Sequence, residues 1–140
     1  MAVRNVWDLV DEAKQRIENL SVEQVRAELD AGSATVVDIR DIRERLLRGA
    51  IPGALHAPRG MLEFWVDPAC EYHRAEFDPS RRYILYCAGG GRSALAADTM
   101  RAMGYTDVAH LEPGYEGWVD AGGDVADVAA DSKWVRRDDA

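Results

Sequence analysis

The residue best suited to chemistry in this sequence is Cys87, which ends the apolar run YILYC at 83–87. Glycines at 89–91 follow it, and Arg92 and a helical pattern come next. A loop without side chains lets backbone N–H groups converge on one point, and the start of a helix adds its dipole there. Because the amides, the dipole and the Arg92 charge all favour a thiolate, the stretch predicts a nucleophilic cysteine that attacks an electrophilic atom of an anionic substrate.

Two other interpretations of this turn explain it less well. A cysteine at the end of a buried strand is often inert, but an inert cysteine needs neither the glycines nor the arginine. A phosphate-binding loop of the Walker type requires Gly-Lys-Ser or Gly-Lys-Thr, whereas this chain has Gly91, Arg92 and Ser93. The other cysteine, Cys70, has no electropositive surroundings and is interpreted as an incidental loop residue rather than a resolving thiol.

The elements predicted around Cys87 place it at the edge of a parallel sheet. Short, largely apolar runs typical of buried strands occupy 34–40, 82–87 and 107–111. A helical pattern at 92–104 lies between the last two and ends at a glycine. This spacing implies a right-handed crossover, and open α/β sheets hold their ligands at the carboxyl ends of such strands.

Two helices are predicted ahead of the first strand. Residues 5–18 are amphipathic, with Asn5 as the cap. Residues 21–30 begin with a capping box formed by Ser21 and Gln24. Both patterns are typical of helices that pack on a core.

The remaining segments are predicted as connections and a tail. Residues 48–60 contain prolines and glycines and predict a loop with at most a short strand at 54–57, and residues 66–81 are similarly irregular. After about residue 122 the chain is poor in large apolar groups, so we expect a tail that is either frayed or docked through Trp134.

Composition and charge narrow the class of protein. The 140 residues are 47% hydrophobic, which suits one compact domain, and no run of about 18 apolar residues predicts a membrane span. The formal net charge of −8 would repel a nucleic acid over most of the surface. The N-terminal segment does not resemble a signal peptide, and His56, His73 and His110 show no paired ligand spacing. We therefore expect a cytoplasmic protein that binds no metal, membrane or nucleic acid.

Two longer blocks of sequence resemble the rhodanese-like domain of single-domain sulfurtransferases. The block at 36–64 resembles that family's strand with an Asp-x-Arg ending and its Ile-Pro-Gly-Ala turn, and the block at 83–123 resembles its active-site loop, helix and closing glycines. The resemblance covers roughly 20–123 and implies a three-layer α/β fold with a central, mostly parallel five-stranded sheet flanked by helices. Residues 1–19 then form an N-terminal helix extension and 124–140 an acidic tail, both candidates for packing, specificity or formation of a homodimer.

The same resemblance implies roles for individual residues. Cys87 matches the cysteine that becomes a persulfide. Asp38 and Arg40 match a pair near the floor of the site, where we expect a structural ion pair rather than catalysts. Arg59 matches a position close to the pocket and is either an anion contact or a solvated loop residue. The loop that cradles the persulfide matches Ala88, Gly89, Gly90, Gly91 and Arg92, followed by Ser93 as a helix cap or a hydrogen-bond partner of the loop.

These matches imply a two-step sulfur transfer that needs no metal or organic cofactor. Cys87 attacks the outer sulfur of thiosulfate or a similar anionic donor, sulfite leaves, and the persulfide passes its sulfur to cyanide, a thiol or a protein partner. A carrier without turnover, or a binding module of the same fold, is the alternative. A small phosphatase or arsenate reductase is the third, but related phosphatases use a Cys-x5-Arg loop, whereas four residues separate Cys87 from Arg92.

Overall fold

The computed structural model describes residues 2–131 and contains seven α-helices and five strands within that range. A single 3-10 turn at Arg59–Met61 precedes the fourth helix. In chain order the elements are α1 (Val6–Arg16), β1 (Glu18–Leu20), α2 (Val22–Ala31), β2 (Thr35–Asp38), α3 (Ile42–Arg48), β3 (Leu55–His56), α4 (Leu62–Val66), β4 (Tyr83–Tyr86), α5 (Gly91–Ala102), β5 (Val108–Leu111), α6 (Gly114–Asp120) and α7 (Val128–Asp131).

The five strands form one parallel sheet in the order β1-β5-β4-β2-β3. The central strand β4 has all four residues buried, as expected of an apolar strand covered on both faces. Its last residue, Tyr86, pairs with Asp38 at the end of β2. The carboxyl ends of the strands therefore meet at one edge, and the predicted α/β fold with a helix-flanked five-stranded sheet is confirmed.

A hydrophobic core lies on each face of the sheet. On one face α4 and α5 pack through residues such as Leu62 and Met100. On the other face α2 and α6 pack through residues such as Val25 and Trp118. Helix α1 lies outside α5 and contacts it through Ala13, so α5 is held between the sheet and α1.

The strand β1 and the helix α3 are among the elements that differ from the sequence predictions. The first helix ends at Arg16, and Glu18–Leu20 forms an edge strand beside β5. Three residues, two of them polar, carry no strand pattern, so their conformation depends on pairing with β5. Helix α3 was not predicted because it has no buried residue and hence no apolar stripe, although Asp41 and Glu44 form a capping box at its start.

The other predicted segments agree with the structure where it describes them. The capping box of Ser21 and Gln24 starts α2, and the 48–60 connection contains only the two-residue strand β3. Ala126 exchanges two backbone hydrogen bonds with Ala50, at 2.8 and 3.1 Å, which ties the start of the C-terminal segment to the domain. Docking through Trp134 lies outside the described residues. Within residues 2–131 no helix has the length and apolar character needed to cross a membrane.

Candidate active site

Cys87 follows β4 directly, at the carboxyl edge of the sheet, and is 1% exposed. Its Sγ accepts backbone hydrogen bonds from the N–H of Gly90 at 3.1 Å and from the N–H of Ser93 at 3.4 Å. Gly90 caps α5 and Ser93 lies in its first turn, so the sulfur also lies at the positive end of the helix dipole. Both amides and the dipole stabilise negative charge on the sulfur.

Two glycines allow the loop to fold this tightly around the sulfur. Gly90 has φ +102°, and a Cβ at that position would collide with the carbonyl oxygen of Glu112. Gly114, at the start of α6, has φ +69°, and a Cβ there would collide with Ala88. Backbone N–H groups early in α6 donate to the carbonyl oxygens of Cys87 and Ala88 at 2.8 and 3.0 Å. These carbonyls therefore have partners in α6.

A buried hydrogen-bonded chain continues from the sulfur into the protein. Cys87 Sγ lies 3.5 Å from Ser93 Oγ, which lies 2.9 Å from Nδ1 of His110. His110 Nε2 lies 2.8 Å from Oδ1 of Asn19. Burial lowers the pKa of His110 to about 4, and the charge of Lys14 acts in the same direction, so the ring is neutral at pH 7.

Sequence reasoning did not associate His110 or Asn19 with the site. His110 is 17 residues from Ser93, and Asn19 is 91 residues from His110. No short motif contains them, and only the pairing of β1 with β5 brings Asn19 beside His110. Nothing in the sequence alone signals this contact.

Arg92 forms a bidentate ion pair with Glu44 of α3. Its two terminal nitrogens lie 3.0 and 2.8 Å from the carboxylate oxygens, and its side chain is 45% exposed. The hydrogen bonds from Arg92 lower the pKa of Glu44. The pair lies at the protein surface, and a direct contact between Arg92 and a bound persulfide stays a prediction.

A buried group of charges, the Asp38 cluster, consists of Asp38, Arg40 and Arg45. The carboxylate accepts from Arg40 at 2.9 and 2.8 Å and from Arg45 at 2.9 Å, and the Tyr86 hydroxyl donates to it at 2.8 Å. Burial acts to raise the pKa of Asp38, but the hydrogen bonds and charge of Arg40 outweigh it and hold that pKa below its ordinary value. Two guanidinium groups share one carboxylate, so the cluster carries a net positive charge.

Arg59 lies at the same edge of the sheet but outside the Asp38 cluster. It occupies the 3-10 turn after β3, and its backbone N–H donates to the carbonyl of Ile39 at 3.0 Å. Its guanidinium donates to Glu63 at 2.6 Å and is about one-third exposed. The proposed anion contact of Arg59 therefore stays a prediction.

Cys70 and two of the histidines form hydrogen bonds with nearby or neighbouring backbone groups. Cys70 lies in the 66–81 connection, where its Sγ accepts from the N–H of Tyr72 at 3.5 Å. His56 and His73 each bond a backbone carbonyl, at 2.7 and 3.0 Å. Of the two cysteines, Cys87 is the one whose sulfur accepts hydrogen bonds from loop amides at the start of a helix.

A cavity of about 640 Å³ opens beside the cysteine loop. Its lining includes Ala88 and Tyr115, the arginines Arg40 and Arg48, and the carboxylates of Glu44, Glu116 and Asp120. This volume lies in the range of small-molecule sites. The lining carries charges of both signs, and its positive groups are Arg40, which belongs to the Asp38 cluster, and Arg48. The arrangement suits a sulfur nucleophile that attacks an anionic substrate and then holds an anionic product.

Comparisons with known proteins agree on one family. The rhodanese-like domain model matches residues 21–121. The thiosulfate:glutathione sulfurtransferase of Homo sapiens is 30% identical over 107 residues, which cover 72% of this chain and 92% of that protein. The putative sulfur carrier protein YrkF of Bacillus subtilis is 29% identical over 103 residues, which cover 73% of this chain and 51% of that protein. The chain thus spans about half the length of that relative.

A solved structure from Rhodopseudomonas palustris is similar over nearly the whole chain. That protein is described as one of unknown function and a possible tyrosine phosphatase, and it is 43% identical with a TM-score of 0.86. The similarity covers 90% of this chain and 97% of that one. The family match includes the cysteine loop and four of the five strands, since β1 ends just before it, and this chain belongs to the rhodanese-like domain family.

Proposed function

We propose that this protein is a sulfurtransferase that carries sulfane sulfur as a persulfide on Cys87. The observation that carries the proposal is the sulfur atom of Cys87, held by the N–H groups of Gly90 and Ser93 at the start of α5 in a rhodanese-like domain. A thiolate is the reactive form of cysteine, and the loop amides donate to the atom that would carry its charge.

The donor in this proposal is thiosulfate or a similar small anion. Cys87 sulfur attacks the outer sulfur of thiosulfate, and a new sulfur–sulfur bond forms. The bond between the two sulfur atoms of thiosulfate breaks, and its electron pair leaves on sulfite. The transfer needs no external oxidant or reductant. The positive charge of the Asp38 cluster and the loop amides support both the anionic donor and the anionic persulfide.

The acceptor in this proposal is a low-molecular-weight thiol or a protein thiol. The cavity beside Ala88 has room for such a molecule and mixes charged side chains with the exposed apolar Leu47 and Val119. The human relative is named for glutathione, which makes glutathione the first thiol to test. The acceptor thiolate attacks the outer sulfur of the persulfide, and Cys87 leaves as a thiolate.

The alternative of a carrier without turnover has support of its own, because the Bacillus subtilis relative is named as a putative sulfur carrier. A phosphatase activity has less support. The loop places four residues between Cys87 and Arg92, and Arg92 is paired with Glu44. A homodimer, a cytoplasmic location and the division into helix extension, domain and tail remain predictions.

Sulfite release measures this proposal directly. Purified protein is mixed with thiosulfate and glutathione, and sulfite is followed over time beside hydrolysis of p-nitrophenyl phosphate. We expect many equivalents of sulfite per protein from the wild type and from Cys70→Ser, and none from Cys87→Ser. One equivalent alone would indicate a carrier. Phosphate release without sulfite release would replace the sulfurtransferase proposal with a phosphatase.

A further inference from the structure

The direction of each hydrogen bond in the buried chain from Cys87 to Asn19 follows from Asn19. Its Nδ2 donates to the carbonyl oxygens of Lys14 at 2.9 Å and Ile17 at 3.2 Å, which uses both amide hydrogens. The Oδ1 atom of Asn19 is therefore the acceptor that faces His110 Nε2. His110 must carry its proton on Nε2, so Nδ1 of the neutral ring is a hydrogen-bond acceptor.

The Ser93 hydroxyl then donates its only hydrogen to Nδ1 of His110. Two acceptors lie within reach of the Ser93 hydroxyl, His110 Nδ1 at 2.9 Å and the carbonyl of Gly90 at 3.3 Å, whereas the Cys87 thiol donates to Ser93 Oγ at 3.5 Å. The histidine is the nearest acceptor, and it is fully buried. Ser93 therefore turns a lone pair toward Cys87, where it accepts from a thiol but repels a thiolate.

We propose that His110 and Asn19 are positioning residues that keep the Ser93 hydroxyl from donating to Cys87, so that the site retains a persulfide rather than releasing a Cys87 thiolate. The inference rests on the proposed sulfur transfer. In the persulfide, Sγ is bonded to carbon and to sulfur and carries no charge, so it needs no donor from Ser93. Only the loop amides then remain as donors to Sγ.

The orientation of the Ser93 hydroxyl affects the step in which the persulfide transfers its outer sulfur to the acceptor. The acceptor thiolate attacks the outer sulfur, the sulfur–sulfur bond breaks, and its electron pair returns to Cys87 Sγ. A hydroxyl donor at that moment would stabilise the leaving thiolate, because hydrogen bonds to charged groups are stronger than those between neutral ones. His110 withholds that donor and thereby slows discharge.

The test measures discharge of a preformed persulfide. Protein is loaded with thiosulfate, separated from it and mixed with excess glutathione, and the loss of the added sulfur is followed by intact mass. We expect His110→Leu to discharge about tenfold faster than the wild type, because the freed Ser93 hydroxyl can donate to the leaving sulfur. In a Ser93→Ala background, His110→Leu should have no further effect. The matched control is His73→Leu, which removes a histidine bonded to the carbonyl of Phe77 and should discharge like the wild type.

A second variant keeps the histidine in place. Asn19→Leu removes the acceptor that fixes the ring, so His110 can carry its proton on Nδ1 and donate to Ser93. We expect discharge to accelerate in this variant too, and 15N NMR of the wild type to show the Nε2–H form of His110. Unchanged or slower discharge in both variants, acceleration that persists without Ser93, or an Nδ1–H ring in the wild type would overturn the inference. A wild type that gains no sulfur would instead contradict the proposed function.

Discussion

The backbone donors that contact Cys87 do not titrate. The N–H groups of Gly90 and Ser93 reach its sulfur, whereas the nearest arginine in sequence, Arg92, is paired with Glu44. Backbone amides hold their positions through the reaction, so they stabilise the anion without reorganisation. In the proposed sulfur transfer, the nucleophilicity of Cys87 would therefore depend more on the fold of the loop than on any one charged side chain.

Because the pKa of the buried His110 is low, we expect the stability of the protein to depend on pH. Its folded-state pKa of about 4 lies below the ordinary value of about 6.5, so the unfolded chain binds the proton more tightly. Its contribution is complete above pH 6.5 and is lost as the pH falls toward 4. Between pH 7.5 and 5 we expect His110 to lower the free energy of unfolding by about 2 kcal/mol. Urea unfolding of the wild type and His110→Gln at both pH values measures this difference, and equal pH dependence in the two proteins would contradict it.

We expect removal of the Glu44 charge to change the affinity for the anionic donor. Glu44→Gln removes the charge that pairs with Arg92 but keeps an acceptor for the cap of α3, where Glu and Gln are equivalent. Exposed pairs contribute up to about 1 kcal/mol, so we expect the KM for thiosulfate to fall about threefold. The matched control, Glu116→Gln, removes the same charge from the same cavity. An equal fall in KM in both variants would assign the effect to net charge rather than to Arg92.

The cysteine loop is the element whose conformation is most constrained. Gly90→Ala places a Cβ against the Glu112 carbonyl at φ +102°, and we expect a loss of about 3 kcal/mol or more in the free energy of unfolding. Gly89→Ala is the matched control, because a Cβ at Gly89 meets no atom within 4 Å and its φ is not left-handed. Thermal unfolding compares the two variants. Similar stability would show that the loop relaxes around Gly90.

The contrast between predicted and unpredicted elements has a physical origin. β4 and α5 bury continuous apolar surface, and α2 starts with a capping box, so local sequence determines them. β1 is polar at Glu18 and Asn19, and it is a strand only because β5 lies beside it. Helix α3 buries no residue, so its sequence shows no apolar face.

The site divides in the same way. Cys87, the glycines and Ser93 are contiguous, and their spacing predicts the loop from sequence alone. The Arg92–Glu44 pair spans 48 residues, and the bond between His110 and Asn19 spans 91. Contacts of this kind depend on which strands are neighbours in the sheet, and no single segment encodes that order.

At the end of β4 opposite Cys87, one arginine connects the ends of several elements. Arg82, just before β4, donates to Glu28 at 2.6 and 2.8 Å, to Asp107 at 2.6 Å and to Glu18 at 2.9 Å. These carboxylates come from α2, the turn before β5 and β1. Their hydrogen bonds raise the pKa of Arg82 above its ordinary value, that with Glu28 most of all.

Removing this arginine tests how the whole molecule is held together. Arg82→Gln leaves three carboxylates close to one another, and we expect the free energy of unfolding to fall by about 2 kcal/mol, less in high salt. The matched control is Arg81→Gln. The side chain of Arg81 is 66% exposed, and its ion pair with Asp78 is long, at 3.9 Å. Urea unfolding measures both variants. Sulfite release per folded molecule should not change, since Arg82 and Cys87 lie at opposite ends of β4.

The formation of a persulfide on Cys87 is tested most directly by the intact mass of the protein after a single exposure to thiosulfate. We expect a gain of one sulfur atom, about 32 Da, in the wild type and in Cys70→Ser. The added sulfur should lie on the peptide that contains Cys87 and be lost when cyanide or glutathione is added. Cys87→Ser should gain nothing. A wild type that keeps its original mass with Cys87 reduced and open to alkylation, or one that gains sulfur on Cys70 instead, would rule out a persulfide on Cys87.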